Sequence, residues 1–369
     1  HLAAWGDERQ TDVMTFHGFG LKLCRRMEQV GLLESSQLVT DEFSLVKLIR
    51  EAMQQLVRRG EKITLVDEKE WLEDVLLFID QVKAAAKPAK AVFEDADWSK
   101  DRQFFPLLYD GLEKIRRQRG LRFFADLLAD PLLKIEAESL SDHLINANTV
   151  PDYRYLLIDE FQDINPCQYR LLKALYPAPC QWMIVGDVQQ CIYEWRGASP
   201  DIMAKQFDED FASGDKTVTT YPLSSSFRFG HQIGLMASSV IAHNHSQTLV
   251  IGAGSATDFS FAQSDKSGKA LLTELKNWLS LGGALDDAAV LVRLYSDMVP
   301  IQLALMHKGI PYHLHGDSPL LENRQIRMLL AYLAVMAEGL DNPTRFHQKQ
   351  DIEVLLTVPS LGLAPNRRK

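Results

Sequence analysis

"YRYLLIDEFQDINPCQYRLL", residues 153–172, runs an apolar stretch, Tyr155 to Ile158, straight into two adjacent carboxylates, Asp159 and Glu160. Gln162 and Asp163 follow at once, and a helical pattern begins beyond them. A short apolar run flanked by helix patterns is the sequence form of a buried strand in a parallel α/β layer. "QWMIVGD" (181–187) has the same form after the intervening helix. Ligands of open α/β sheets sit beyond the carboxyl ends of the strands, where Asp159 and Glu160 fall. One carboxylate there can hold Mg²⁺ against phosphate oxygens while its neighbour orients or deprotonates an attacking water. The pair equally fits a solvated strand end or a helix N-cap, since acidic side chains favour both places.

Upstream, "TDVMTFHGFGLKLCRRMEQVGLL" (11–33) predicts a short strand, a polar-aromatic turn at "TFHGFG" (15–20) and an amphipathic helix. From about Asp41 to Arg119 the pattern is helical: "SLVKLIREAMQQLVRR", "EWLEDVLLFIDQVKAA" and "FFPLLYDGLEKIRRQRG". The connector "AKPAKAVFEDADWSK" carries Pro and charge. This region reads as an all-helical module inserted between strands. Downstream, "KTVTTYPL" (216–223) predicts a third strand leading into a helix from about His231. A second α/β series follows, with strands at "DFSFA", "AAVLVR" and "PYHLH" and helices at "KALLTELKNWLSL", "MVPIQLALMHKG" and "NRQIRMLLAYLAVMAEGL".

At 369 residues the chain exceeds one average domain. Its 46% apolar and 24% charged residues are the mix of an ordinary globular protein. No apolar run reaches membrane-spanning length and no signal-peptide pattern opens the chain. Cys24, Cys167, Cys180 and Cys191 show neither C-x-x-C pairing nor zinc spacing, which reads as reduced thiols of a cytoplasmic protein. A net charge of −9 argues against a wholesale basic coat for nucleic acid. A narrow track of local Lys, Arg and backbone N–H groups remains open.

Further stretches carry chemistry. "VGDVQQCIYEWRGA" (185–198) supplies Gln190, suited to sensing a terminal phosphate, and Tyr193 and Trp195, suited to stacking on unpaired bases. The same aromatics with Ile192 also suit plain loop packing. "YPLSSSFRFG" (221–230) puts Arg228 just past a strand, fit to neutralise a transferring γ-phosphoryl group or to form a structural ion pair. "TFHGFG" offers a hydroxyl, an imidazole and backbone groups to a nucleic-acid strand. "KIRRQRG" (114–120) places Arg116, Arg117 and Arg119 on what reads as a solvated helix face. "AHNHS" (242–246) lacks a surrounding metal-ligand pattern and reads as an exposed polar turn.

In chain order, "VMTFHGFGLKLCRR", "GLRFFADLLADPL", "LLIDEFQDINPCQ", "VGDVQQCIYEWRGA" and "LSSSFRFG" resemble motifs of the UvrD/Rep/PcrA-like superfamily 1 DNA helicases. The resemblance continues through residues 289–333 and 353–365, so it covers essentially the whole chain. It implies an α/β fold of two RecA-like parallel-sheet motor domains, both incomplete, with an all-helical insert in the first. Residues 1–35 and 125–222 would form the first motor domain, 36–124 the helical insertion, and 223–369 the first part of the second. The implied activity is an ATP-dependent helicase or translocase, 3′-to-5′ on single-stranded DNA, with ATP and Mg²⁺ in the interdomain cleft.

By the same resemblance, Asp159 is the Mg²⁺ carboxylate, Glu160 the catalytic base and Gln190 the γ-phosphate sensor. Arg228 is the arginine finger, and Phe227 packs on the adenine. Tyr193 and Trp195 stack on single-stranded bases, with Thr15, His17 and Arg196 on the DNA path. The resemblance also implies a helical insert near that path, where Arg116, Arg117 and Arg119 would touch phosphates. Implied partners are single-stranded DNA or a single-strand/duplex junction, and proteins of a repair, replication, conjugation or defence complex, with no membrane. Three positions depart from the pattern: Ser226 replaces a usual Asn, Phe227 a Tyr, and Gln325 a common Glu.

A motor of this kind needs a phosphate-cradling loop, G-x-x-x-x-G-K-[ST]. The single Gly-Lys dipeptide, Gly268-Lys269, precedes Ala270, and Gln263 stands in place of the first Gly. "GAGSAT" (252–257) is no dinucleotide loop, because Thr257 falls where the third Gly belongs. In the family that loop lies upstream of the TFH motif. The chain is therefore expected to be a piece of a complete helicase, inactive by itself. The competing expectation is a helicase-like scaffold that binds DNA or a partner protein without hydrolysis.

Overall fold

Thr15 decides how the first element begins. Its hydroxyl oxygen accepts the Gly18 N–H at 3.1 Å and caps α1 (Phe16–Gln29), a contact worth about 1 kcal/mol. "TFHGFG" is thus the opening turn of a helix rather than a polar turn, and no strand forms over residues 11–15. Leu23, Cys24 and Met27 face the core at helical spacing. Gly20 shares that face, and a Cβ there would meet Leu127 O at 2.6 Å, so the glycine lets two helices touch backbone to side.

The structure is a computed structural model. It describes residues 11–315 apart from 62–67, 141–143, 145–148, 178, 213–216, 244–249, 258, 262 and 264–266, together with 326, 329, 330 and 333. The chain divides into two compact units, 1–223 with 243–246, and 224–242 with 247–369. Both combine helices with short parallel strand pairs.

In the first unit, β1 (Gln37–Leu38) pairs in parallel with β2 (Leu121–Arg122), tying together the two ends of the helical module. Between them lie α2 (Glu42–Arg58), α3 (Glu68–Ala85), α4 (Ala89–Glu94) and α5 (Phe105–Gln118). The helix α4 falls within the stretch expected to be only a connector. Apolar residues at helical spacing close a core around Phe78, which meets Phe93, Trp98, Phe105 and Tyr109 at centroid distances of 6.0, 5.8, 5.6 and 6.5 Å. Each large apolar side chain buried this way contributes about 1.5–3 kcal/mol.

Arg116 belongs to neither a DNA track nor a solvated face. It is 2% exposed and lies 2.8 Å from Glu113 and 2.9 Å from Asp130. Lys83 lies 2.6 Å from both Glu113 and Asp126, and Arg122 bridges Asp130 and Glu28. Asp126 also accepts the Phe123 N–H at 2.9 Å, fixing the start of α6 (Asp126–Glu138). These charges join α3 and α5 of the module to α1 and α6 beneath it. Burial opposes the charge on Glu113, but Lys83 and Arg116 outweigh it and hold the carboxyl at about 2. Arg117 and Arg119 stay at the surface, the latter 2.6 Å from Glu51.

The second core of this unit carries β3 (Tyr155–Ile158), α7 (Pro166–Leu175), β4 (Gln181–Ile184) and α8 (Phe207–Phe211). The strands pair in parallel, Tyr155 opposite Gln181 through Ile158 opposite Ile184. Leu156, Ile158, Trp182 and Ile184 pack on the core. The other face differs from the fully buried strands expected, with Tyr155 at 65%, Leu157 at 75% and Met183 at 59% exposure.

In the second unit β5 (Ser225–Ser226) pairs with β6 (Ile251–Gly252), which lies against α9 (His231–Ala242), while α10 (Ser267–Ser280) and α11 (Tyr295–His307) pack on each other. The strands expected at "KTVTTYPL", "DFSFA", "AAVLVR" and "PYHLH" do not form among the described residues, which run there as unpaired chain. A strand exists only where a neighbour accepts its ladder, and apolar alternation alone cannot supply one. Gln325, most of the helix expected from residue 323, residues 353–365 and most of "AHNHS" lie outside the described residues. Among the described residues no helix is long and apolar enough to cross a membrane.

Candidate functional site at the strand tips

Beyond Ile158, Asp159 Oδ1 accepts the Glu160 N–H at 3.0 Å. Glu160 then takes a left-handed backbone, φ 51° and ψ 42°, a conformation costing a non-glycine residue roughly 1–2 kcal/mol. Its neighbours enforce it. Phe161 is fully buried and donates its N–H to Val185 O at 2.9 Å, while Asp163 N–H donates to Glu160 O at 3.0 Å. The reversal brings the Glu160 carboxylate onto Gln162, whose Nε2 donates to Glu160 Oε2 at 2.7 Å. A capping box then starts α7: Asn165 Oδ1 accepts the Gln168 N–H and Gln168 Oε1 accepts the Asn165 N–H.

The tip of β4 meets this turn directly. Gly186 lies so near that a Cβ on it would stand 2.4 Å from Gln162 Oε1. That oxygen accepts the Asp187 N–H at 3.0 Å. The Asp187 carboxylate in turn accepts the Gln189 N–H at 2.9 Å and Gln190 Nε2 at 2.8 Å. Glu160, Gln162, Asp187 and Gln190 thus form one hydrogen-bonded chain across the two strand tips. Gln162 and Asp187 stand out in the sequence as polar residues at the strand ends, but the sequence assigns neither a role.

The residues suit a nucleotide-borne magnesium ion. Asp159 is exposed, and among the described residues no hydrogen bond engages its Oδ2. A free carboxylate oxygen matches Mg²⁺, which takes one or two carboxylates and substrate phosphates instead of an all-protein cage. Among the described residues no cluster of three or more His, Cys, Asp or Glu side chains could hold a metal alone.

Tyr193 precedes a short helical turn, Glu194–Arg196, and Trp195 lies within it; both are exposed, Trp195 by 55%. They do not pack the loop, and nor does Ile192. The Arg196 guanidinium lies 4.7 Å from the Trp195 ring centroid. The turn rests on α3, where Gln81 Nε2 donates to Trp195 O at 3.3 Å. Gly197 has φ +94°, and a Cβ there would stand 2.6 Å from the Ala84 Cβ. Gln81 and Ala84 carried no sequence signal, since their partners lie more than a hundred residues away.

Thr15 and His17 open α1, with the threonine hydroxyl engaged as the cap. His17 stacks on Phe124 at 3.9 Å between centroids and 18° between planes, and burial lowers its pKa. Phe124 is itself exposed and was passed over in the sequence.

Phe227 and Arg228 belong to the second unit. Phe227 is 80% exposed, and Arg228 forms no ion pair among the described residues. "GAGSAT" braces them: Gly254 N–H donates to Phe229 O at 3.0 Å and Thr257 Oγ1 accepts the Gly230 N–H at 2.8 Å. A Cβ on Gly254 would meet Phe227 O at 2.6 Å, so close backbone approach explains that glycine. Gly268 likewise seats α10 on α11, 2.6 Å from Pro300 O if given a Cβ.

A family model described as the UvrD/REP helicase N-terminal domain matches residues 4–212. The chain belongs to the UvrD/Rep helicase family. It is 29% identical over 361 residues to DNA helicase II of Haemophilus influenzae, covering 95% of this chain and 45% of that protein. To DNA helicase II of Escherichia coli it is 26% identical over 342 residues, covering 89% and 44%. To the ATP-dependent DNA helicase PcrA of Staphylococcus epidermidis it is 24% identical over 375 residues, covering 98% and 47%. This UvrD/Rep-family chain thus spans a little under half the length of the curated relatives it matches.

Proposed function

We propose that the chain is the ATP- and DNA-handling part of an ATP-dependent DNA helicase that moves 3′ to 5′ on single-stranded DNA. The observation carrying this reading is the hydrogen-bonded chain from Glu160 through Gln162 and Asp187 to Gln190. It joins a candidate base to a candidate phosphate sensor. In this reading residues 1–35 and 125–222 are the first RecA-like motor domain, 36–124 its helical insert, and 223–369 the first part of the second. The protein works in the cytoplasm on single-stranded DNA or a single-strand/duplex junction, within a repair, replication, conjugation or defence complex.

Asp159 Oδ2 would hold Mg²⁺, which when bound neutralises charge on the nucleotide's phosphates. Gln162 occupies Glu160 Oε2, so Oε1 is the atom that takes the proton of the attacking water. Gln190 presents its amide to the terminal phosphate and relays its state to the adjoining Tyr193–Arg196 turn. Arg228 neutralises charge on the transferring phosphoryl group, and Phe227 packs on the adenine. Exposed Tyr193 and Trp195 stack on bases, with Arg196, Thr15 and His17 along the strand. No sequence in the chain matches a phosphate loop, so hydrolysis needs the full-length protein. The test is ATP hydrolysis by that protein with and without single-stranded DNA. Stimulation by DNA supports the motor. Failure to bind ATP at millimolar concentration overturns it in favour of a non-hydrolysing scaffold.

A further inference from the structure

We propose that Gln162 is the positioning residue that makes the two strand tips one rigid unit, holding the Glu160 carboxylate and the Asp187–Gln190 turn in fixed relation. The role rests on reading Glu160 as the base, but the geometry stands independently. Gln162 is 2% exposed, among the most buried polar side chains described. Both ends of its amide are used, Nε2 on Glu160 Oε2 at 2.7 Å and Oε1 on the Asp187 N–H at 3.0 Å. A primary amide satisfies both partners at once. The carboxylate requires a donor, the backbone N–H requires an acceptor, and one planar group must supply both without a charge.

The surroundings fix that geometry from three sides. Gly186 makes room for the amide beside β4, since a Cβ there would stand 2.4 Å from Oε1. The left-handed backbone of Glu160 aims its carboxylate at Nε2. The buried Phe161 ring is pinned against Tyr169 and Phe207 at 6.2 and 5.7 Å, anchoring the turn between them. Glutamate at position 162 would keep the acceptor for Asp187 and put a carboxylate against Glu160. Methionine would keep the volume and lose both hydrogen bonds.

Two readouts test the role in the full-length protein. The first needs no nucleotide: amide hydrogen exchange at Asp187. Gln162→Met is expected to accelerate that exchange at least about tenfold while leaving the β3 and β4 amides protected, because its acceptor is gone. Gln162→Glu keeps the acceptor and is expected to leave it slow. The second is DNA-stimulated ATP hydrolysis. Either variant is expected to lower kcat by about 10- to 100-fold while KM for ATP moves less than about threefold. Unchanged Asp187 exchange in Gln162→Met, or an unchanged kcat in a folded Gln162→Glu, overturns the proposal. If one variant fails to fold, the other decides by the same criteria. Should Glu160→Gln itself retain full kcat, the reading of Glu160 as base fails, while the exchange result still judges Gln162.

Discussion

The helical module and the strand tips share one compact unit and treat charge in opposite ways. Under the module, Lys83, Arg116 and Arg122 meet Glu28, Glu113, Asp126 and Asp130, and every charge has a partner within the protein. At the strand tips Asp159 and Glu160 stand exposed, and among the described residues no cation pairs with either. Paired, buried charge fixes how helices dock, because removing one member strands another in low dielectric. Exposed carboxylates with no cation beside them, Glu160 on a strained backbone, gain no stability from charge pairing. They are suited to meeting something from outside. The comparison separates the residues that hold this unit together from those proposed to work.

The variant that strains the comparison most is Arg116→Ala. It leaves Glu113, Asp126 and Asp130 facing one another, and it is expected to destabilise the first unit by about 3–5 kcal/mol in denaturant titration. A smaller loss means the cluster is wetter than its exposure indicates. Acid attacks the same cluster. Glu113 sits at about 2 against an unperturbed 4.5, a depressed carboxyl. Its contribution is therefore complete above pH 4.5 and is lost as pH falls toward 2, so the first unit should lose stability in that window, read as a falling denaturation midpoint. Trp195→Ala should leave the melting temperature unchanged and weaken single-stranded DNA binding by about 1–3 kcal/mol, since the ring is exposed and touches little. The smallest effect belongs to Arg117→Ala, next door to Arg116 in sequence and at the surface in space. It is expected to change stability by less than about 1 kcal/mol. Equal losses at Arg116 and Arg117 would erase the distinction between the two regions.

Much of the fold was legible where period and punctuation agree. The helices α2, α3 and α5 follow from apolar spacing, and β3 and β4 from apolar runs ending in acidic residues. "TFHGFG" misled because Gly18 and Gly20 read as turn residues, whereas Thr15 caps a helix that needs Gly20 for close contact with α6. The missing strands of the second unit failed for another reason: strand pattern is local and strand pairing is not. Arg116 shows the same limit. Three arginines in "KIRRQRG" look alike in sequence, and only the placement of Lys83, Asp126 and Asp130 decides which one is buried. At the site, the carboxylates and Gln190 were visible as residue types at strand ends. Gln162 was visible as a residue but its role was not, because a buried amide joining two motifs has no pattern of its own.

The most direct measurement is the steady-state rate of ATP hydrolysis by the full-length protein carrying Glu160→Gln, with saturating single-stranded DNA. A fall in kcat of at least about 100-fold, with ATP binding and melting temperature retained, is expected of a base that touches the attacking water. A rate equal to the unmodified protein's would contradict the assignment of the strand-tip carboxylates as the hydrolytic centre.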